Sequence, residues 1–304
     1  GEAVSDAVMD QQPFEGRQNI SAKEFASSMD MLSDTFEETL GWNLKDIISS
    51  EDPEIIKKTN IAQPYIFSVS YCYGIEAINN LGNPAALIGH SLGEYTALCL
   101  SGYLDYKDAL KVIAVRGEEM HKAVENSNTT MAAVLTGDLE ATIEEIEKLN
   151  NQGIQIWISN FNDPSQIVIS SYIDDMNYLK SNPKALGAKR VIPLEVAGAF
   201  HTEIVSSAKK PLEDTLNSID ISEGKIPVYM NVDAKKVEVS TLKENLVNQI
   251  DNSVLFNQQI EFVNNDIDPD LWCHIGPGNV TAGMVRKSIS YKDLKVINSL
   301  ESSK

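Results

Sequence analysis

The chain is poor in cysteine, histidine and positive charge. Its 304 residues include three cysteines and four histidines. Cys72, Cys99 and Cys273 each stand among apolar residues, and no two form a C-x-x-C pair. A count so sparse and odd argues against a disulfide framework and points to buried thiols in a reducing, cytoplasmic setting. His90, His121, His201 and His274 show no ligand spacing, so no metal site is expected. Lys and Arg number 25 against 44 Asp and Glu, a net charge of −19. Such a surface argues against nucleic acid and anionic membranes as partners. Local pairs such as Lys189-Arg190, Lys209-Lys210 and Arg286-Lys287 leave room for a small basic patch beside a cleft. No apolar run is long enough to cross a bilayer, and no leader segment is expected. Repeats and low-complexity tracts are lacking too.

What is present is ample apolar material. Hydrophobic residues make up 42% of the chain, enough for one large domain or a domain carrying an insertion. The first twenty residues are small, acidic and polar, and read as weakly structured. Helical patterning covers residues 22–48 and again 63–78, the second started by Pro64. Asp105 or Asp108 is placed to cap a helix running to His121. From residue 129 to 196 the order is strand, helix, two strands joined at Asn162-Asp163-Pro164, helix, strand. This β-α-β-β-α-β order is ferredoxin-like. The expected fold is therefore α/β: a large domain formed by residues 1–128 and 197–304, with residues 129–196 inserted as a small ferredoxin-like subdomain. Beyond it, strands are expected at 228–232 and 271–275, and helices at 242–247 and 254–263.

Gly89-His90-Ser91-Leu92-Gly93 follows a short apolar run, Ala85-Ala86-Leu87-Ile88, and precedes a helical segment. Strand, tight turn and helix with G-x-S-x-G at the turn form a nucleophile elbow. The two glycines are expected to remove Cβ atoms where strand and helix crowd, leaving the Ser91 hydroxyl exposed on a strained turn. The helix start behind it offers free N–H groups to a developing oxyanion.

A serine nucleophile needs a base. His90 adjoins Ser91, and neighbouring side chains on a tight turn point apart. His121 lies at a polar helix end, and His274 in an apolar strand. His201 stands in a small-residue loop, Ala197-Gly198-Ala199-Phe200-His201-Thr202, and is the candidate base. Arg116 falls on the apolar stripe of its helix, with Ala109, Val112, Ile113 and Met120. A guanidinium on that face meets either a protein carboxylate or the carboxylate of a substrate.

Together these residues resemble the malonyl-CoA:acyl carrier protein transacylases and the related acyltransferase domains of polyketide synthases. The resemblance rests on Gly89–Tyr95 as the nucleophile motif, Arg116-Gly117, Gly198-Ala199-Phe200-His201, and Asn160-Phe161-Asn162 with Gln166–Ser170. Asn231-Val232 and Gly276-Pro277-Gly278 match as well. It covers roughly residues 35–290 and implies an α/β-hydrolase-like large domain with a ferredoxin-like insert. The implied activity is ping-pong transfer of a malonyl group from malonyl-CoA to the phosphopantetheine thiol of acyl carrier protein, in fatty acid or polyketide synthesis. In this scheme Ser91 carries the acyl group and His201 is its base. Arg116 holds the malonyl carboxylate, the Leu92 N–H stabilises the oxyanion, and Phe200 and Gln166 line the acyl site. No separate cofactor is implied, and a monomer is expected. The histidine is oriented by a backbone carbonyl, for which Leu255 occupies the matching position.

The opening loop departs from the family. Its glycine-rich loop corresponds to Asp10-Gln11-Gln12, with Gln11 in register as the second oxyanion donor and both flanking glycines replaced. Two alternatives therefore stand: a hydrolase or other acyltransferase acting on carrier proteins, and a weakly catalytic carrier-protein scaffold.

Overall fold

The computed structural model describes residues 20–49, 58–289, 293–297 and 300–301. Gln11 and the rest of the first nineteen residues lie outside them.

The helical patterning of residues 22–48 resolves into two helices, α1 (Ala22–Leu40) and α2 (Leu44–Ser49). Gly41 separates them at φ 76°, a left-handed conformation that glycine adopts without a Cβ clash. Its N–H donates to the Glu37 carbonyl at 2.8 Å, closing the last turn of α1. Helix α3 (Thr59–Leu81) begins a turn earlier than Pro64 suggests. A proline there forgoes only the bond to the Asn60 carbonyl, and Ser68 Oγ donates to the Pro64 carbonyl at 2.9 Å. Helix α3 buries residues on every side, among them Phe67, Cys72 and Tyr73.

Strand β2 (Leu87–Ile88) leads through the elbow into α4 (Gly93–Ser101), and α5 (Tyr106–Val124) follows. The Asp105 side chain caps α5 by accepting from the Lys107 and Asp108 N–H groups. Helices α3 and α5 pack closely at Gly117. A Cβ there would stand 3.0 Å from the Thr59 carbonyl oxygen and 3.1 Å from the Asn60 Cα. That close approach brings Gln63 of α3 against Arg116 of α5.

The inserted unit is a four-stranded antiparallel sheet made of β3 (Thr129–Leu135), β4 (Ile156–Asp163), β5 (Gln166–Tyr172) and β6 (Arg190–Pro193). Its strand order is β4-β5-β3-β6, and α6 (Leu139–Asn151) and α7 (Ile173–Ser181) connect the strands. It carries its own apolar core, including Val134, Ile146, Ile167, Ile169 and Leu179, separate from the main one.

After a 3-10 turn at Glu203–Ala208 come α8 (Lys209–Asn217), β7 (Val228–Tyr229), α9 (Val239–Asn248) and α10 (Phe256–Ile267). Strand β7 pairs in parallel with β2 and is shorter than residues 228–232, because the chain turns at Asn231 to serve the elbow. Val254, expected at the start of a helix, instead bridges Asn160 and ties the small sheet to the large unit. Strand β8 (Leu271–Ile275) pairs in parallel with β9 (Asp293–Ile297), and α11 (Val280–Ser288) lies between them in sequence. An apolar cavity of about 400 Å³, lined by Ile66, Leu87, Phe256, Trp272 and Ile275, separates β2 from β8. A last pairing joins β1 (Ile20–Ser21) in parallel to β10 (Leu300–Glu301). Cys72 and Cys99 are buried as expected, whereas Cys273 is exposed on β8.

Candidate active site

Ser91 sits between β2 and α4 with φ 51°, a left-handed conformation that costs a non-glycine residue about 1–3 kcal/mol. Gly89 makes the turn possible. A Cβ there would lie 2.0 Å from the Gly93 carbonyl carbon and 2.3 Å from the Glu94 nitrogen. Gly93 has a different role from the one expected of it, since a Cβ at that position would meet no atom within 4 Å. The crowding is one-sided: the Gly93 backbone presses on Gly89.

Asn231 holds the strained turn from behind. Its Oδ1 accepts from the Ser91 N–H at 2.8 Å, and its Nδ2 donates to the Gly89 carbonyl at 2.7 Å. The N–H groups of Gly93, Glu94 and Tyr95 turn back to the carbonyls of His90, Ser91 and Leu92. The Leu92 N–H takes part in none of these turns, which suits it to an oxyanion at the start of α4.

His201 reaches Ser91 from the loop before the Glu203–Ala208 turn. Its Nε2 lies 2.7 Å from Ser91 Oγ. Its Nδ1 lies 2.8 Å from the Gln249 backbone carbonyl. A carbonyl only accepts, so Nδ1 carries the proton and Nε2 is free to accept from the serine hydroxyl. The orienting carbonyl is thus Gln249's and not Leu255's. The Leu255 carbonyl receives the Gln259 N–H at 3.0 Å in the first turn of α10. Burial, reinforced by the charge of Arg116, pulls the His201 pKa down to about 3, against the pull of the Gln249 carbonyl. The imidazole is therefore neutral near pH 7, as a general base must be.

The His201 loop is fixed by its small residues. A Cβ on Gly198 would stand 2.5 Å from Val124 Cβ. Thr129 Oγ1 accepts from the Ala199 N–H at 3.0 Å, and Thr202 Oγ1 donates to the Ala199 carbonyl at 2.8 Å. Phe200 packs in the main core, only 2% exposed.

Arg116 is 1% exposed and points at the nucleophile. Its Nη1 donates to Gln63 Oε1 at 2.6 Å. Its Nη2 donates to Ser91 Oγ at 3.0 Å and to Gln249 Oε1 at 2.9 Å. Uncharged side-chain oxygens thus position the guanidinium, and its charge stands beside the atom that will carry the acyl group.

Gln166 lies further out. Its Oε1 accepts from Asn162 Nδ2 at 3.0 Å, and Asn162 Oδ1 is 2.9 Å from His90 Nε2. His90 is thereby tied to the small subdomain, in keeping with a structural histidine, and burial lowers its pKa to about 4. His274 also has internal partners, the Thr281 hydroxyl at 2.6 Å and the Gly278 carbonyl at 3.1 Å. Three of the six basic residues expected to form a patch beside the cleft are paired with acidic side chains. Lys209 pairs with Asp251, Lys210 with Asp214 and Lys287 with Asp163.

Sequence reasoning missed Gln63, Glu94 and Gln249. A signal existed for Gln249: Leu242, Leu246 and Gln249 share one helical face, and all three are fully buried.

The sequence matches the acyl transferase domain family over residues 16–300. A malonyl CoA-acyl carrier protein transacylase of Bacillus subtilis is 36% identical over 258 residues, covering 84% of this chain and 81% of that protein. One from Staphylococcus aureus is 32% identical over 267 residues, 88% and 86% of the two chains. The crystal structure of the Streptococcus pneumoniae protein superposes with a TM-score of 0.83 at 29% identity over 94% of each chain. A malonyl-transacylase solved in complex with a type II polyketide acyl-carrier protein gives 0.84 at 26% identity, again over 94% of each chain. With its elbow, buried arginine and histidine in one site on this fold, the chain belongs to the acyl transferase family and, within it, to the malonyl-CoA:acyl carrier protein transacylases.

Proposed function

We propose that this protein moves a malonyl group from malonyl-CoA to the phosphopantetheine thiol of acyl carrier protein by a ping-pong route through Ser91. The observation that carries the reading is the placement of one hydroxyl between a base and a cation: Ser91 Oγ lies 2.7 Å from His201 Nε2 and 3.0 Å from Arg116 Nη2. In the first half-reaction, His201 Nε2 takes the Ser91 proton as Oγ attacks the thioester carbonyl. The oxyanion of the tetrahedral intermediate is met by the Leu92 N–H and the start of α4. The carbon–sulfur bond breaks, and the CoA thiolate leaves with the proton returned by His201. In the second half, His201 deprotonates the carrier-protein thiol, which attacks the malonyl ester. Ser91 is released and takes the proton back.

Arg116 supplies the selectivity in this scheme. Its guanidinium pairs with the free carboxylate of the malonyl group, orienting the ester carbonyl and favouring a diacid over a plain acyl chain. Phe200 and Gln166 are assigned to the acyl site, and Gln11 remains the candidate second oxyanion donor. The relatives' names, and the neighbour solved with its carrier protein, support malonyl-CoA and acyl carrier protein as the two substrates. The route needs no further cofactor, because the phosphopantetheine belongs to the partner.

Intact-mass measurement after mixing with malonyl-CoA tests the proposal. A malonyl adduct is expected on the native protein, absent from Ser91→Ala and discharged onto added carrier protein. Free malonate accumulating without an adduct would favour hydrolysis. Untouched malonyl-CoA would favour a scaffold.

A further inference from the structure

Glu94, three residues beyond the nucleophile, is fully buried. The elbow motif as such does not require a carboxylate there. Both of its oxygens accept hydrogen bonds, Oε1 from the Asn231 N–H at 2.5 Å and Oε2 from Gln249 Nε2 at 2.6 Å. These two residues hold the rest of the site. Asn231 grips the elbow on both sides of Ser91. Gln249 reaches the Ser91 carbonyl with Nε2, Arg116 with Oε1 and His201 with its backbone carbonyl.

The orientation of the Gln249 amide has a cause. Its two ends differ only in which donates and which accepts. Arg116 can only donate, so it demands the oxygen. Glu94 in its ionised form, which dominates above about pH 8, can only accept, as can the Ser91 carbonyl, so both demand the nitrogen. The two demands agree, and the amide is fixed. Burial pushes the Glu94 carboxyl up to about 8, while the Asn231 and Gln249 donors and the nearby Arg116 charge oppose the shift. Where both Glu94 oxygens face N–H donors, an added proton would leave one contact mismatched.

We infer that Glu94 is the positioning residue of the acid-reading arginine: its carboxylate sets the Gln249 amide, and the amide sets Arg116 beside Ser91. The inference rests on the proposed malonyl transfer. It goes beyond that transfer by assigning acyl selectivity to a residue that the acyl group never touches. Glu94→Gln keeps shape and volume but replaces one of the two acceptors with an NH₂, opposite either the Asn231 N–H or the Gln249 NH₂. Either the Gln249 NH₂ loses this acceptor or the amide turns over against the Ser91 carbonyl, and in both cases its hold on Arg116 loosens.

The test loads the full chain with an equimolar mixture of malonyl-CoA and acetyl-CoA and reads the ratio of the two adducts on Ser91 by intact mass. Melting temperature and circular dichroism follow the fold alongside. In Glu94→Gln the malonyl-to-acetyl ratio should fall about ten-fold, the effect of one charge-assisted hydrogen bond lost at Arg116. KM for malonyl-CoA should rise more than kcat falls. Gln249→Met, which keeps the backbone carbonyl under His201, should lower the ratio similarly and serves if Glu94→Gln does not fold. A folded Glu94→Gln or Gln249→Met with the native ratio would overturn the inference and leave malonyl transfer standing. A native protein that takes no malonyl at Ser91 would overturn both.

Discussion

Arg116 donates directly to the nucleophile: its Nη2 stands 3.0 Å from Ser91 Oγ. The same nitrogen also reaches Gln249, and Nη1 reaches Gln63. Gln63, Gln249 and Ser91 thus hold the guanidinium in one orientation, which lowers the entropy cost of reading a carboxylate. Replacing it should harm malonyl loading selectively. Arg116→Ala is expected to slow malonyl-ester formation about 100-fold, while acetyl loading changes far less. Arg116→Lys should restore little, because one ammonium cannot reach Gln63, Gln249 and a carboxylate together. Single-turnover loading with each thioester checks this, and equal losses for both thioesters would refute it.

The elbow glycines make a paired prediction. A Cβ on Gly89 would run into the Gly93 and Glu94 backbone, which has no flexible side chain to give way. Gly89→Ala should lower stability by about 2–4 kcal/mol or abolish folding. Gly93→Ala faces open space at the start of α4 and should leave stability unchanged or raise it by up to about 1 kcal/mol. Denaturant unfolding of the two variants separates them. Equal destabilisation would mean that the crowding is not where the geometry puts it.

The parts of this site that a sequence shows are those whose chemistry breaks a local pattern. Ser91 lies in a glycine frame, Arg116 interrupts an apolar stripe, and His201 ends a run of small residues. The order of elements from residue 129 to 193 was equally legible, because each strand is bounded by a turn signal and each helix has an amphipathic period. The second layer of the site was hidden because its contacts are long-range. Gln249 meets Ser91 across 158 positions of chain, and Asn231 meets Gly89 across 142. The carbonyl under His201 was misplaced to Leu255 for a related reason. Every residue has a carbonyl, so only the path of the chain selects the one that faces the imidazole. Val254 looked helical from its apolar neighbours, but pairing with Asn160 overrode that local preference.

Three histidines, one buried and two half-buried, set an acid limit to stability. Burial lowers His90 and His274 to about 4 and His201 to about 3, from an ordinary value of 6.5. Below pH 6.5 the unfolded chain takes up protons at these positions and the folded chain does not. The stability they contribute is thus whole above 6.5 and is lost as pH falls toward 3–4. Glu94 has the opposite sign. Raised from 4.5 to about 8, its contribution is present below 4.5 and lost as pH rises through 8. Between pH 6.5 and 4.5 three histidines oppose one carboxyl, and each net proton is worth ~1.4 kcal/mol per pH unit. The melting temperature should fall steadily over that window, and His274→Gln should reduce the slope by about one proton. A flat profile would refute the account.

Asn231 offers the sharpest probe of strain at Ser91. Its amide accepts from the Ser91 N–H and donates to the Gly89 carbonyl, bracketing a residue held at φ 51°. Asn231→Asp preserves size and the acceptor but removes the donor. It also brings a second carboxylate close to Glu94, whose Oε1 already accepts from the Asn231 N–H. The Gly89 carbonyl is then left without its partner in a buried turn, at a cost of about 1–3 kcal/mol. Relaxation of the turn moves Oγ away from His201 Nε2, so malonyl-ester formation should slow about 10- to 100-fold. If charge has no part in the loss, it stays constant as the introduced carboxyl ionises. Because two buried carboxylates repel, the rate of Asn231→Asp is expected instead to fall further as pH rises from 6 to 9, while Asn231→Ala stays flat relative to the native protein. Parallel pH–rate profiles for the two variants would show that Asn231 acts through its shape alone.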